Sequence, residues 1–360
     1  MFKRNQLGDL ATFEVHLQHL IQAIPCDGST VDLAKLFFRL AQDIGTDIMF
    51  GESIGSLLNP DSELALFLSA FERAQIGLEE RWLLGSLAQI LPQQTFYKNV
   101  ALVHSYFEQH VEKALEYRRL MEQKEVSETG KIDDVLRTER EDEGRYIFLH
   151  ELAKITQNKL VLRDELLSVF IGGRDTTASL LSNLFFVLAR RSDLWVKVRE
   201  EVESLDGALP TREQVNAMAT IRNCLSESLR LDPPVPCNSR IACKDTVLPI
   251  GGGRDGLSPV FVERGSMVAY HVTALHRRKD LWGEDAEDFN PERWERETVS
   301  WAYLPFNGGP RFALTEATYT VIRLAQHFKT IENHDTLPWT ERISLTSTSG
   351  NGVKVAMTPS

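Results

Sequence analysis

The sequence predicts a mainly α-helical protein with small β-sheets, organised as a single domain over residues 1–360. Three observations predict it. Apolar residues through 1–230 recur at the spacing of helices buried on one face. One stretch, about 163–191, is apolar on most of its faces and, at about 1.5 Å per residue, long enough to cross a domain. After Arg230, Pro233, Pro234 and Pro236 stop helix formation, and short alternating runs follow through 231–360.

Taken in order, Leu10, Phe13, Leu17, Leu20 and Ile21 lie on one helical face. Asp27-Gly28-Ser29-Thr30 is a turn and N-cap signal, and it opens a helix over 31–49 that ends at Gly51. A helix begins at Asn59-Pro60-Asp61-Ser62 with Leu64, Phe67, Leu68 and Phe71 inward. Pro92 opens another, from about Thr95 to Met121. The charge-dense stretch 122–145 reads as a solvated helix end and loop.

The central run, 163–191, contains Gly172-Gly173-Arg174-Asp175-Thr176-Thr177 in its middle. Glycine costs about 1 kcal/mol in a helix interior, and Asp and Thr compete there for backbone bonds. A buried helix weakened at one spot suggests a ligand or cofactor pressed against it. Beyond Arg230, strands are expected at Arg240–Ala242, Val247–Ile250, Val260–Val262 and Met267–Tyr270, and a helix from about Leu314 to Phe328. Residues 342–357 alternate like a hairpin turning at Ser349-Gly350-Asn351-Gly352.

Composition excludes several classes. With 42% hydrophobic and 25% charged residues, disorder, collagen and coiled coil are excluded as the dominant state. A net charge of −11 argues against nucleic acid as a partner. The four cysteines, Cys26, Cys224, Cys237 and Cys243, contain no C-x-x-C pair and read as reduced thiols. No targeting segment is visible at Met1–Leu10, and Leu180–Ala189 is too short to span a bilayer.

Gly251-Gly252-Gly253-Arg254-Asp255-Gly256 fits a dinucleotide fingerprint literally, but strand-like Leu257–Val262 follows where a helix is needed. It reads as a hairpin loop. His271 and His276 do not have helical metal-pair spacing. Glu227 and Arg230 share a helix face at i, i+3. Pro291-Glu292-Arg293-Trp294 is a compact turn, and Phe306-Asn307-Gly308-Gly309-Pro310-Arg311 is a glycine-rich loop ending in arginine.

In this order and spacing, these motifs resemble the cytochrome P-450 superfamily over essentially the whole chain, and their wording is similar to fungal alkane and fatty-acid terminal hydroxylases. The resemblance implies the P-450 fold and a haem. It implies Gly172 and Gly173 as a groove beside the cofactor, and Asp175 and Thr176 as catalytic residues, Thr176 holding water or oxygen and Asp175 relaying protons. Arg240, Phe306 and Arg311 would bind the haem, the arginines through its carboxylates. Glu227, Arg230 and Arg293 would form a buried structural ion network. By family, the substrate is an apolar small molecule hydroxylated with O₂, an NADPH-dependent reductase supplies electrons, and the location is the endoplasmic reticulum membrane.

One departure limits the resemblance. The family loop runs Phe-x-x-Gly-x-Arg-x-Cys-x-Gly, the cysteine supplying the thiolate that pushes electron density onto iron. Here Phe312-Ala313-Leu314-Thr315 follows Arg311, so the cysteine position falls on Ala313 and the glycine position on Thr315. Deletion of a short block is the simplest account, since both flanks keep the pattern. The family's anchor and first β elements also have no counterpart before Met1, so the fold is expected to be incomplete at its N-terminus. Two readings follow: a monooxygenase family member that is inactive or mis-assembled as written, or a non-catalytic binding protein on the same fold.

Overall fold

The computed structural model describes residues 10–59, 64–126, 146–296, 301–307, 312–343 and 345–360. Helices dominate the first two-thirds: α1 (Leu10–Ala23), α2 (Leu33–Phe50), α3 (Leu64–Leu84), α4 (Gln93–Val126), α5 (Phe148–Ile155), α6 (Lys159–Leu188), α7 (Ser192–Glu203), α8 (Arg212–Ala217) and α9 (Ala219–Leu231). The later part adds α10 (Val272–His276), α11 (Lys279–Trp282) and α12 (Phe312–His327). Its strands are β2 (Cys237–Ile241), β3 (Thr246–Gly252), β4 (Ser258–Val262), β5 (Met267–His271), β6 (Phe328–Asn333), β7 (Glu341–Ile343), β8 (Ser347–Ser349) and β9 (Lys354–Pro359), with a short β1 (Val31–Asp32) upstream. All pairings are antiparallel: β1-β9-β6 form one sheet, and β2-β5, β3-β4 and β7-β8 form two-stranded ribbons.

The helix α6 organises the interior. It starts cleanly because the Asn158 side chain accepts hydrogen bonds from the amides of Leu160 and Val161 at 3.0 and 3.3 Å. Its N-terminal half places Leu162, Leu166 and Phe170 in one apolar cluster, with α3, α4, α5 and the end of α2. There Phe170 packs against Phe71 and Phe107 with ring centroids 5.1 and 5.6 Å apart. Its C-terminal half places Ala178, Leu181, Leu184 and Phe185 in a second cluster, with α1, α2, α7, α9, α12 and the strands β6 and β9. Residues Gly172–Thr177 lie at the junction between these cores. The helix runs through them without a break.

The structure moves several expected boundaries. Val31 and Asp32 form β1 rather than the start of α2, because Val31 pairs with Val355 in the central sheet. The cap of α2 is Asp32, whose carboxylate accepts from the amide of Ala34 at 3.2 Å. The same Oδ1 accepts from the amide of Val353 at 2.9 Å, tying the first long helix to the last strand. The C-terminal hairpin is β7–β8 rather than a pairing across Ser349–Gly352. Alternation in the tail belongs instead to Val353, Val355 and Met357, which are buried and carry β9 into the central sheet. Phe328 likewise opens β6 instead of ending α12, its ring being fully buried. The expected loop at 127–145 lies outside the described residues. The β3–β4 ribbon closes over the glycine run, where Gly251, Gly253 and Gly256 take positive φ.

Candidate functional site

At the junction of the two cores is a cavity of about 410 Å³. Its walls are apolar: Ala41, Ile44, Ile48 and Met49 from α2, Phe148 from α5, Val169, Phe170 and Leu180 from α6, Leu229 from α9, and Pro234, Val235, Pro305 and Phe306 from the connecting loops. The polar side chains on it are Arg174, Thr176, Thr177, Asn307 and Glu316. Size and composition match a small-molecule site, typically about 300–1,000 Å³ and mostly apolar with a few placed polar groups.

Gly172, Gly173 and Thr176 all line this cavity. A Cβ built at either glycine would meet no atom within 4 Å, so their lack of side chains leaves the space open. The Thr176 hydroxyl donates to the carbonyl of Gly172 at 2.7 Å, which spends its proton on the helix and leaves its oxygen able only to accept. Asp175 is placed differently. It is buried, does not line the cavity, accepts from Arg174 at 2.6 Å and is hydrogen-bonded to Gln75 of α3.

Glu227, Arg230 and Arg293 come together as a closed network. Arg230 and Glu227 are completely buried and meet through two bonds of 2.8 and 2.9 Å. Glu227 also receives the Arg293 guanidinium at 3.4 Å, the Trp294 indole N–H at 3.0 Å and the Asn290 amide at 3.0 Å. The remaining Arg230 donors go to the carbonyls of His276, Ala286 and Asp288. A buried charge is tolerable only when saturated in this way.

His276 is a member of this network that sequence reading did not single out as such. Its Nε2 accepts from the Leu304 amide at 2.8 Å, so Nδ1 carries the proton and donates to the carbonyl of Arg230 at 3.2 Å. Burial pushes its pKa down to about 4, which keeps the ring neutral. The imidazole thus fixes the backbone just before Pro305 and Phe306, and Phe306 lines the cavity. His271 caps α10 by accepting from the Ala274 amide. Arg240 stands exposed on β2, bonded to Asn238 and to its neighbour's carbonyl, and is not on the cavity wall. Arg311 lies outside the described residues.

The family model for cytochrome P-450 matches residues 15–354. The chain belongs to the cytochrome P-450 family. It is 44% identical over 369 positions to the P-450 monooxygenase fsdH of Fusarium heterosporum, covering 99% of this chain and 64% of that protein. It is 43% identical to the P-450 monooxygenase himC of Aspergillus japonicus, again over 99% of this chain and 64% of the relative. Cytochrome P-450 52A1 of Candida tropicalis is 38% identical over 385 positions, 99% of this chain and 68% of that protein. The chain thus spans less than two-thirds of the length of the first two relatives. The 369 and 385 matched positions exceed this chain's 360 residues, so those relatives carry internal residues that it lacks.

The residues present do not fit the thiolate-bound haem of a P-450. Ala313, two positions past Arg311, is the residue in the cavity wall, and a methyl group is no iron ligand. None of the four cysteines lines the cavity: Cys26, Cys237 and Cys243 are exposed, and Cys224 is buried in α9 with its thiol pushed up to about 12 by burial. Beside Ala313, one turn along α12, sits a residue that no sequence motif singles out. Glu316 is 4% exposed, its Oε1 has no hydrogen-bond partner, and burial alone pushes its pKa up to about 8.

Proposed function

We propose that this chain is an apolar-ligand-binding member of the P-450 family, from the branch acting on long-chain alkanes or fatty acids, and that as written it does not perform haem-thiolate oxygenation. The observation that carries this reading is Ala313 in the cavity wall at the count where the family motif has cysteine. The apolar walls support an aliphatic ligand, and the wording of the motifs around Gly172–Thr177, Pro291–Trp294 and Phe306–Arg311 supports the alkane and fatty-acid branch.

When bound in family members that keep the cysteine, haem supplies oxygen activation. In such a protein a reductase and O₂ would act with it at the endoplasmic reticulum membrane. In this chain the residues do less. The α2 and α6 side chains exclude water, Gly172 and Gly173 leave room for the ligand, and Thr176 offers its oxygen to it.

The purified chain, supplied with haem, reduced and exposed to CO, should show no thiolate-type Soret band, and it should still bind an n-alkane by calorimetry. A thiolate-type band would overturn the reading. Sequencing the transcript across codons 311 and 312 tests the second reading, in which a cysteine-bearing block belongs there. A chain with that block restored should regain the thiolate band.

A further inference from the structure

We infer that Glu316 is the recognition group of the cavity, its carboxyl binding the hydrogen-bond acceptor of an uncharged aliphatic ligand such as a long-chain ester, in preference to the matching carboxylate. This rests on the apolar-ligand reading above and narrows the ligand class.

A buried polar atom without a partner is rare and costs about 1–3 kcal/mol. Glu316 Oε1 is such an atom, on a residue of the cavity wall. Among the described residues, no neighbouring charge acts on this carboxyl. On the elements packed against α12, Glu14 of α1 is closed on Arg323 and Tyr319, and Arg199 of α7 on backbone carbonyls. Glu201 of α7 accepts from the amides of Thr220 and Ile221, and Lys197 pairs with Glu292. Glu227 of α9 is closed on Arg230, and Arg174 of α6 on Asp175 and Gln42. Burial therefore acts unopposed on Glu316 and keeps it protonated at neutral pH. A protonated carboxyl has one O–H to donate. The complementary group is an acceptor without charge, because a ligand carboxylate would enter an apolar cavity whose described lining cation, Arg174, is already taken.

Three probes of similar length test this at pH 7: undecane, methyl decanoate and sodium decanoate, titrated calorimetrically into the purified chain and into E316Q and E316L. Thermal unfolding checks that the variants fold. The readout is the ratio of ester to alkane affinity. It should fall about 3- to 10-fold in E316L and persist in E316Q, whose amide still donates. Decanoate should bind more weakly than the ester. Above pH 8 the ratio should fall in the unmodified chain and stay level in E316Q. An unchanged ratio in folded E316L, or stronger binding of decanoate, overturns the assignment of Glu316 while the cavity reading stands. No binding of undecane or ester by the unmodified chain overturns both.

Discussion

Arg174 and Asp175 are consecutive in the chain and bonded to each other at 2.6 Å, with both side chains buried. Arg174 reaches the cavity wall and Asp175 does not. The guanidinium also bonds Gln42 of α2 at 3.3 Å and lies over the rings of Phe38 and Phe71 at 5.5 and 5.2 Å. The pair thus joins α2, α3 and α6 behind the cavity. This geometry supports a fastening role for Asp175, with Gln75 as its second anchor.

Arg174→Ala should therefore destabilise the protein by about 3–5 kcal/mol, since it leaves a buried carboxylate without its partner. Urea unfolding measures it. Arg174→Ala combined with Asp175→Asn should recover part of the loss. A double-variant loss equal to the sum of the Arg174→Ala and Asp175→Asn losses would mean that the pair carries no coupling.

Gly173→Ala should raise stability by about 0.5–1 kcal/mol, because the added methyl meets open space and alanine favours a helix interior. Gly173→Leu should fold as well but abolish n-alkane binding by filling the cavity. Thermal unfolding and calorimetry separate the two effects.

Glu227→Ala should cost about 3–5 kcal/mol or prevent folding, since it strands Arg230 in the interior and leaves Arg293 only its pairing with Asp285. Glu227→Gln should cost less, because a side-chain oxygen still accepts. Protease resistance of the expressed variants ranks them.

Stability should also fall as pH rises from about 6.5 to 8. A carboxyl whose folded pKa is raised holds its proton after the unfolded chain has lost it, so stability declines through that window. Glu316, raised from 4.5 to about 8, spans the window. Asp232, raised by burial to about 6 against the opposing pull of Arg277, has lost most of its proton where the window begins. The buried His276 and His110, both lowered to about 4, add an opposite slope that is strongest below 6.5 and fades by about pH 7.5. Just under one proton is linked through Glu316 between pH 6.5 and 8, and the two histidines offset part of it, which leaves about 1 kcal/mol. Urea midpoints across this range should flatten in E316Q. A flat profile in the unmodified chain would show that Glu316 is ionised.

Much of the fold was legible because its cause is local. Periodic apolar residues gave α1 to α4 and α6, though not the short α5, and the Glu-x-x-Arg spacing put Glu227 and Arg230 on one helix face, their burial being implied by the family resemblance. The glycine-rich run after Ile250 was correctly read as a hairpin, since strand-forming residues flank it. What was not legible depends on distant partners. Whether Asp175 faces the cavity depends on Gln75, a hundred residues away. Nothing in Leu314-Thr315-Glu316 marks the carboxyl as buried and unpaired, because that follows from the packing around α12. The destination of the tail depended on β6, whereas alternation alone allowed a local hairpin.

Gly352 has φ of +76°, and a Cβ there would stand 2.6 Å from Asp32 Oδ1, so Gly352→Ala should cost about 1–3 kcal/mol. The contact it protects joins positions 321 residues apart. During synthesis at about 5–20 residues per second, the segment bearing Asp32 leaves the ribosome tens of seconds before Val353 is made. Through that interval the edge of β1 has no strand to pair with, and the apolar faces of α1 and α2 have only part of their core. Nascent chains of this protein therefore keep apolar surface uncovered until β9 is made. A stop codon placed before β9 would remove the latch altogether, leaving a product for the quality-control machinery rather than a slightly shorter protein.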